Sequence, residues 1–261
     1  HYFNSNYAIV ARIIEVVSGK TFEVVLEEEL FKPLNMKSTT AVRTYALARK
    51  LNRPPIDGHV AAYGRAWRWH EPDGFLSGHG GVISTAADMG RWLNWQMTGQ
   101  PNILTPELLT LMQTPPPGSV YAMGWFRQNR EGKTVLWHDG VFSTVFSDIV
   151  IKPELGLGAV LLYAIGGAIP TMSVFPDIRS GVFGIANGEF PHPHDVFFSK
   201  LGLWAAALTL ILVIAALLDL IAPRRRRHLG VALTWGATAG LIVRFVPILF
   251  LLSLPQLLQF A

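Results

Sequence analysis

The chain has 261 residues, half of them hydrophobic and only 15% charged, whereas about a quarter of a soluble domain is usually charged. Its net charge of +4 arises after residue 200, where five arginines face one acidic residue; residues 1–200 carry 17 basic and 17 acidic side chains. A neutral globular part argues against a nucleic-acid partner, and the lack of cysteine excludes disulfides, thiolate metal sites and a cysteine nucleophile.

The first 80 residues predict two helices and then a long irregular segment. Apolar side chains at helical spacing indicate a helix over residues 6–18, which stops at Gly19. A second helix is predicted over residues 21–30, ahead of Pro33. Residues 41–80 are rich in Arg, Trp, Gly and Pro, which is typical of an excursion between regular elements.

Two helices with clear N-terminal signals follow. Thr85 and Asp88 form a T-x-x-D capping box, which predicts a helix running to about Met97. Thr105 followed by Pro106 predicts a shorter helix, because proline is favoured in the first helical turn.

From residue 121 onward the hydrophobic pattern changes from helical to alternating. Short β-rich runs separated by turn residues predict an antiparallel meander, with Asp139 and Gly140 in one of its turns. A last helix is predicted over residues 173–185 and is expected to pack on the sheet. Helices that flank an antiparallel sheet give an α+β fold class. The predicted strands cover residues 121–128, 134–138, 144–151 and 157–165.

The last sixty residues predict a membrane domain. Residues 201–221 form an apolar run which, at about 1.5 Å per residue, can cross a hydrocarbon core of about 30 Å. A second apolar stretch, about 229–255, follows an arginine loop at 224–228. We therefore predict two transmembrane helices, the arginine loop in the cytoplasm, and an extracytoplasmic domain over residues 1–190 joined by a linker at 191–200.

The second apolar stretch carries two further signals. Gly236 and Gly240 form a small-xxx-small pair, which favours packing against another helix in the bilayer. Arg244 lies in mid-span, where a charge is costly, so we expect it to face other helices or to reach an interface. The alternative for each stretch is a buried helix of a soluble domain, but both stretches lack the polar face of such a helix.

Three stretches, in this order, carry a resemblance to a known family. The first starts with the Y-x-N motif at residues 2–4, and the second is G-G-V-I-S-T-A-A-D at 80–88. The third contains M-G-W at 123–125 and the H-x-G motif at 138–140. Over about residues 1–185 the chain resembles the serine β-lactamase-related family of class C β-lactamases, D-Ala-D-Ala carboxypeptidases and esterases. The resemblance implies an incomplete β-lactamase/transpeptidase-like domain.

The resemblance also implies roles for individual residues in acyl-enzyme chemistry. Tyr2 would be a general base or proton shuttle, Asn4 would bind a substrate amide, and His138 would orient the substrate from the end of a strand. Gly140 would leave room for substrate backbone along that strand, and the Val141 N–H would be one of two oxyanion donors. A phenol titrates near pH 10, so Tyr2 can act as a base only where a cation lowers its pKa. No cofactor or metal is expected.

Two of these residues also have simpler interpretations. Tyr2 and Asn4 can be a frayed chain end and a helix cap. His138 can be an ordinary histidine beside a hairpin turn formed by Asp139 and Gly140. Both interpretations stay open at the level of sequence.

The nucleophile of this chemistry is absent from the chain. Members of the family carry S-x-x-K ahead of Y-x-N, and none of the serines here stands in S-x-x-K or in G-x-S-x-G. We therefore expect the Ser and Lys to precede His1, and this fragment to be inactive by itself. Phe3 and Val145 replace the Ser and Gly that are usual in relatives, which can reshape the pocket.

Competing functions remain at this stage. The first is a membrane-anchored serine hydrolase that acts outside the cytoplasm on a D-amino-acid peptide, a β-lactam or a small ester. The second is a non-catalytic, penicillin-binding-like sensor or ligand-binding module coupled to the membrane helices. A transporter is disfavoured, because two spans and one intramembrane arginine are too few to form a pathway.

Overall fold

The computed structural model describes residues 2–62, 65–130, 132–167, 174–186, 204 and 206–214. Most of the predicted span 201–221 and all of the predicted span 229–255, with its glycine pair, lie outside these residues, as does the arginine loop. Residues 206–214 are helical. Across the described ranges, no helix combines the length and the apolar character that a membrane crossing requires. The two spans stay predictions.

The N-terminal helices agree with the sequence pattern. Gly19 ends the first helix in the left-handed conformation, with φ of 68°, and its N–H bonds to the Glu15 carbonyl. The Thr21 side chain caps the second helix by accepting from the Val24 N–H. The second helix then widens into a π-helical turn. The bounds are α1 Asn4–Ser18, α2 Phe22–Leu26 and the π turn Glu27–Phe31.

The segment predicted as a long excursion, residues 41–80, contains short paired strands that the sequence pattern did not indicate. The elements here are β1 Thr40–Ala41, α3 Tyr45–Ala48, β2 His59–Ala62, β3 Arg65–Arg68 and β4 Val82–Ile83. Strand β1 pairs with β4, and β2 pairs with β3. The partner of β1 lies some forty residues away, so local composition did not reveal it.

Both predicted helix N-termini are confirmed in α4 (Ala86–Thr98) and α5 (Pro106–Met112). The Thr85 hydroxyl accepts from the Asp88 N–H, and Thr105 caps α5 with proline in the first turn. The Asp88 carboxylate does not complete the capping box. It accepts a hydrogen bond from the Ser38 N–H, in the loop before β1.

The predicted meander is confirmed as the main sheet, which has the order β5-β6-β7-β8 and is antiparallel throughout. Two details differ from the prediction. The first strand begins at Phe126 rather than at residue 121, and Asp139 and Gly140 lie inside β6, with the turn at residues 142–145. His138 is therefore not at the strand end. The bounds are β5 Phe126–Arg130, β6 Lys133–Val141, β7 Phe146–Lys152 and β8 Leu157–Tyr163, followed by α6 Val174–Ala186.

Side chains of the sheet alternate between two helical layers. Leu136 and Ile151 point to one face and pack with Leu93 of α4. Val135 and Val150 point to the opposite face and pack with Phe183 of α6. A sheet covered by helices on both faces is the α+β arrangement expected from the pattern.

Candidate active site

The candidate site lies where β6 extends beyond β5. Phe126, the first residue of β5, pairs with Trp137, and β6 continues to Val141. Residues 138–141 pair with β7 on one side only. Their other side has no paired strand among the residues that the structure describes, and we call it the open edge.

The hydrogen-bond pattern of β6 shows which backbone groups face the open edge. The Phe142 N–H donates to the Val145 carbonyl across the turn, at 3.0 Å, and so points toward β7. Successive residues of a strand point their N–H groups to opposite sides, so the Val141 N–H points to the open edge. This is the orientation that the predicted oxyanion donor requires.

The structure brings Tyr2 and Asn4 to this edge. The Tyr2 hydroxyl donates to the Asn4 side-chain carbonyl oxygen, Oδ1, at 2.6 Å. The Tyr2 ring packs edge-on against the His138 imidazole, with 5.2 Å between the centroids. Three residues predicted from separate motifs at the two ends of the domain thus lie together, beside Gly140 and Val141.

Two further tyrosines, which sequence analysis did not assign to the site, complete the arrangement. The hydroxyls of Tyr7 and Tyr121 are joined by a short hydrogen bond, and the Tyr121 hydroxyl lies 3.2 Å from Nε2 of His138. We call Tyr2, Tyr7, Tyr121 and His138 the tyrosine cluster. Tyr7 lies one helical turn after Asn4, and Tyr121 lies two residues before M-G-W. Their positions beside the motifs were the feature of the sequence that could have identified them as site residues.

The direction of each hydrogen bond in the tyrosine cluster can be worked out from the one group that can only accept. His138 Nδ1 lies 2.6 Å from the Asp139 carbonyl, which can only accept. In the neutral imidazole Nδ1 therefore carries the proton and Nε2 accepts from Tyr121. Tyr7 must then donate to the Tyr121 oxygen. The single N–H of a neutral His138 is therefore engaged with the Asp139 carbonyl.

Burial raises the pKa values of two phenols of the cluster, Tyr2 and Tyr121. It raises the pKa of Tyr2, and the neighbouring Tyr7 and Asp139 raise that pKa further. Burial and the hydrogen bond to Tyr7 raise the pKa of Tyr121 far above its ordinary value. Tyr121 thus keeps a proton that it can donate to Nε2 of a neutral His138, and Tyr2 needs an added cation before it can act as a base.

The lack of a side chain at Gly140 also matters for packing within the sheet, in addition to its predicted role toward substrate. It pairs with Ser147 of β7, and a Cβ atom at Gly140 would lie 2.7 Å from the Ser147 Oγ. A larger side chain at this position would therefore require the Ser147 hydroxyl to move.

The glycine-rich second motif connects the other two motifs in space. A Cβ at Gly78 would meet the Tyr7 carbonyl oxygen at 2.3 Å, so this loop lies directly on α1. A Cβ at Gly80 would lie 3.0 Å from the Phe142 ring, so the same loop reaches the turn after β6. The loop holds the Y-x-N helix and the H-x-G strand at a fixed separation.

Metal-ligating side chains do not gather at this site. Over the described parts of the chain, no group of three or more His, Asp or Glu residues has the geometry to hold a metal ion.

Comparison with known proteins gives a family and relatives for this chain. A family model described as Beta-lactamase matches residues 1–196. Unguisins hydrolase ungD' of Aspergillus campestris is 27% identical over 174 residues, which are 61% of this chain and 32% of that protein. Penicillin-binding protein 4 of Amycolatopsis lactamdurans is 25% identical over 201 residues, 70% of this chain and 51% of that protein. The chain therefore spans a third to a half of the length of these relatives.

The fold is also that of a solved structure. The octameric penicillin-binding protein homologue from Pyrococcus abyssi superposes with a TM-score of 0.61 at 20% identity, covering 80% of this chain and 46% of that one. At this identity the likeness shows a shared β-lactamase/transpeptidase-like α+β fold.

Proposed function

Since the Beta-lactamase model matches residues 1–196, the chain belongs to this serine-hydrolase family, and we propose that the whole protein is a membrane-anchored serine hydrolase. Its substrate class is an amide or ester: a D-amino-acid peptide, a β-lactam or a small ester. The observation that carries this proposal is the meeting of Tyr2, Asn4 and His138 at the open edge, with the Val141 N–H directed outward.

Several groups at the site are placed where an acyl transfer would need them. A serine hydroxyl would attack the substrate carbonyl, its proton passing to a base, and the C–N or C–O bond would break to leave an acyl-enzyme that water hydrolyses. The Val141 N–H is oriented to donate to the oxyanion as negative charge develops. The open edge can align an extended substrate backbone as an added strand, with Asn4 binding its amide.

The proposed nucleophile is a serine outside this chain. No S-x-x-K occurs in the 261 residues, and we propose that the whole protein provides this Ser and Lys ahead of Tyr2. The Lys would be the cation that lowers the pKa of Tyr2, which burial raises within this chain. The limited share of the relatives that the chain spans supports this placement.

The membrane anchor completes the proposal. Residues 201–221 and about 229–255 would cross the bilayer and place the arginine loop 224–228 in the cytoplasm. The domain at 1–190 would then act on the extracytoplasmic side, tethered through 191–200, and Gly236 and Gly240 could pair the helix with a partner. The apolar length of the two stretches and the position of the arginines support this arrangement.

The test is covalent labelling of the full-length protein with a fluorescent penicillin and a fluorescent fluorophosphonate. We expect labelling, and a fall of at least about tenfold in its rate in Tyr2→Phe and His138→Ala, because each loses a polar group at the site. Tyr45→Phe is the control, since the Tyr45 hydroxyl lies outside the tyrosine cluster and its ring packs under Arg49.

Two results would decide against catalysis. If neither probe labels the full-length protein, or if both site variants label like Tyr45→Phe, the hydrolase proposal fails. The non-catalytic sensor is the second candidate, and a whole protein without S-x-x-K ahead of Tyr2 would favour it. Reading the gene ahead of His1 separates the two candidates directly.

A further inference from the structure

We propose that Glu71 is a positioning residue for the open edge, although it lies outside all three motifs. Its buried carboxylate would hold the turn at residues 142–145 and thereby set the orientation of the Val141 N–H and of His138. This inference rests on the proposed function for its catalytic consequence, but the positioning itself can be measured without any activity.

The Glu71 carboxylate binds the turn through both of its oxygens. Oε1 accepts from the Ser143 N–H at 3.0 Å. Oε2 accepts from the Thr144 N–H at 3.0 Å and from the Thr144 hydroxyl at 2.8 Å. Glu71 is 8% exposed and Thr144 is 1% exposed, so water does not substitute for these bonds.

The surrounding backbone closes on the same turn. The His59 N–H donates to the Thr144 carbonyl at 3.0 Å. A Cβ at Gly58 would lie 2.3 Å from the Thr144 Oγ1, and a Cβ at Gly166 would lie 2.5 Å from the Ser143 carbonyl oxygen. The turn is thus enclosed tightly, and the Glu71 carboxylate receives the two N–H groups at its tip.

The chemistry of these bonds requires a carboxylate. All three donors point at Glu71, and an ionised carboxylate only accepts. A glutamine of the same shape has one acceptor oxygen and an NH₂ group that donates. In Glu71→Gln at least one buried backbone N–H of the turn would therefore face another donor and lose its partner.

The consequence reaches the site because the turn begins next to Val141. Among the residues that the structure describes, 138–141 pair with a strand on the β7 side only, so the turn and β7 determine where the open edge lies. None of the Glu71 hydrogen bonds described above involves Tyr2 or His138. It acts through the backbone and is distinct from the groups that would contact substrate.

The first measurement is hydrogen exchange of the full-length protein. In Glu71→Gln we expect the amides of residues 139–145 to exchange at least about tenfold faster than in the wild type, because the turn opens locally. Asp88→Asn is the matched control. The Asp88 carboxylate is 3% exposed and also accepts from a backbone N–H and a hydroxyl, those of Ser38 and Thr39, but it does not contact this turn.

The second measurement is the labelling reaction, with initial binding of a β-lactam separated from acylation. Glu71→Gln should slow acylation about tenfold to a hundredfold with little change in initial binding, because a misplaced oxyanion donor affects the transition state. Asp88→Asn should lose stability yet acylate at the wild-type rate. Thr144→Ser, which keeps the hydroxyl and the N–H, should behave like the wild type.

The outcomes separate this inference from the proposed function. If the wild-type protein does not label, the hydrolase proposal fails, and faster exchange at residues 139–145 in Glu71→Gln still supports positioning. If Glu71→Gln does not fold, Thr144→Val, which removes one of the three bonds, should show the same local effect in milder form. Exchange in 139–145 no faster than in Asp88→Asn, or an unchanged acylation rate in a protein that labels, would overturn the proposal.

Discussion

At the scale of single residues, the hydrogen bonds around His138 favour one tautomer of its neutral imidazole. Burial raises the pKa values of Tyr2 and Tyr121, so within this chain both hydroxyls favour the protonated form and can donate hydrogen bonds. Tyr121 occupies Nε2 of His138, and the Asp139 carbonyl occupies Nδ1. Both imidazole nitrogens are thus already bonded before a substrate arrives.

Removing one hydroxyl tests this description. In Tyr121→Phe, His138 loses the donor at Nε2 and Tyr7 loses its acceptor, so the tautomer preference of His138 should weaken. We expect acylation to slow about three- to tenfold, the size of one net hydrogen bond. The ¹⁵N shifts of the His138 imidazole should move toward those of a tautomer mixture in the same variant.

The control for this variant is again Tyr45→Phe, which should leave the His138 shifts unchanged. Identical imidazole shifts in Tyr121→Phe and in the wild type would show that Tyr121 does not set the tautomer.

At the scale of elements, α6 is attached to the sheet by a buried ion pair as well as by apolar contacts. Arg179 of α6 donates to the Asp148 carboxylate at 3.2 Å, and Asp148 is 2% exposed. Burial nevertheless raises the pKa of Asp148, because the attraction of Arg179 does not fully offset the loss of hydration. Asp139, its partner across the β6–β7 pair, adds like-charge repulsion.

The sign of this pKa shift predicts a pH dependence. A carboxyl group with a pKa raised by folding stabilises the protein below its unfolded-state pKa, and that contribution is lost as the pH rises through the folded-state pKa. Asp148→Asn removes the charge and keeps an oxygen for Arg179. We therefore expect it to raise the Tm of the full-length protein at neutral pH, by about 2–4 °C.

A Tm series over pH checks this prediction. The difference between Asp148→Asn and the wild type should shrink as the pH falls through the raised pKa of Asp148, because Asp148 itself then becomes neutral. Arg179→Ala should lower the Tm at neutral pH, since it leaves the buried charge unpaired. A difference that grows on acidification would show the opposite sign of the shift.

At the scale of the whole molecule, the proposed arrangement is a periplasm- or exterior-facing hydrolase domain joined to two membrane spans. The lack of cysteine in the 261 residues makes this arrangement easy to test, because any introduced cysteine is a unique reporter within them. Ser18, at the exposed end of α1, reports on the domain, and His228 reports on the arginine loop.

We predict opposite accessibility for these two positions. In intact cells, a membrane-impermeant maleimide should label Ser18→Cys, and it should label His228→Cys only after the membrane is opened. Both variants should label fully in detergent, and any cysteine ahead of His1 is first replaced by serine. Recovery of the full-length protein in the soluble fraction, or the reverse labelling pattern, would contradict the topology.

The parts that sequence alone predicted are those governed by local rules. Helix α1 ends at Gly19, and α4 and α5 begin at threonine caps, because capping and left-handed glycine depend on neighbours within a few residues. The strand order of the meander followed from alternation and short turns. The Y-x-N and H-x-G motifs also identified three residues that do meet in the structure.

The features that only the tertiary structure decided depend on contacts between groups far apart in the chain. Asp139 and Gly140 look like a turn locally, but pairing with Asp148 and Ser147 keeps them in β6, and Glu71 holds the turn further on. Tyr7 and Tyr121 have no local pattern that marks them as a pair. The sequence by itself therefore determined the main helices, the meander and the family. The short strands ahead of α4 and the orientation of the open edge were decided by long-range contacts whose energies no local pattern contains.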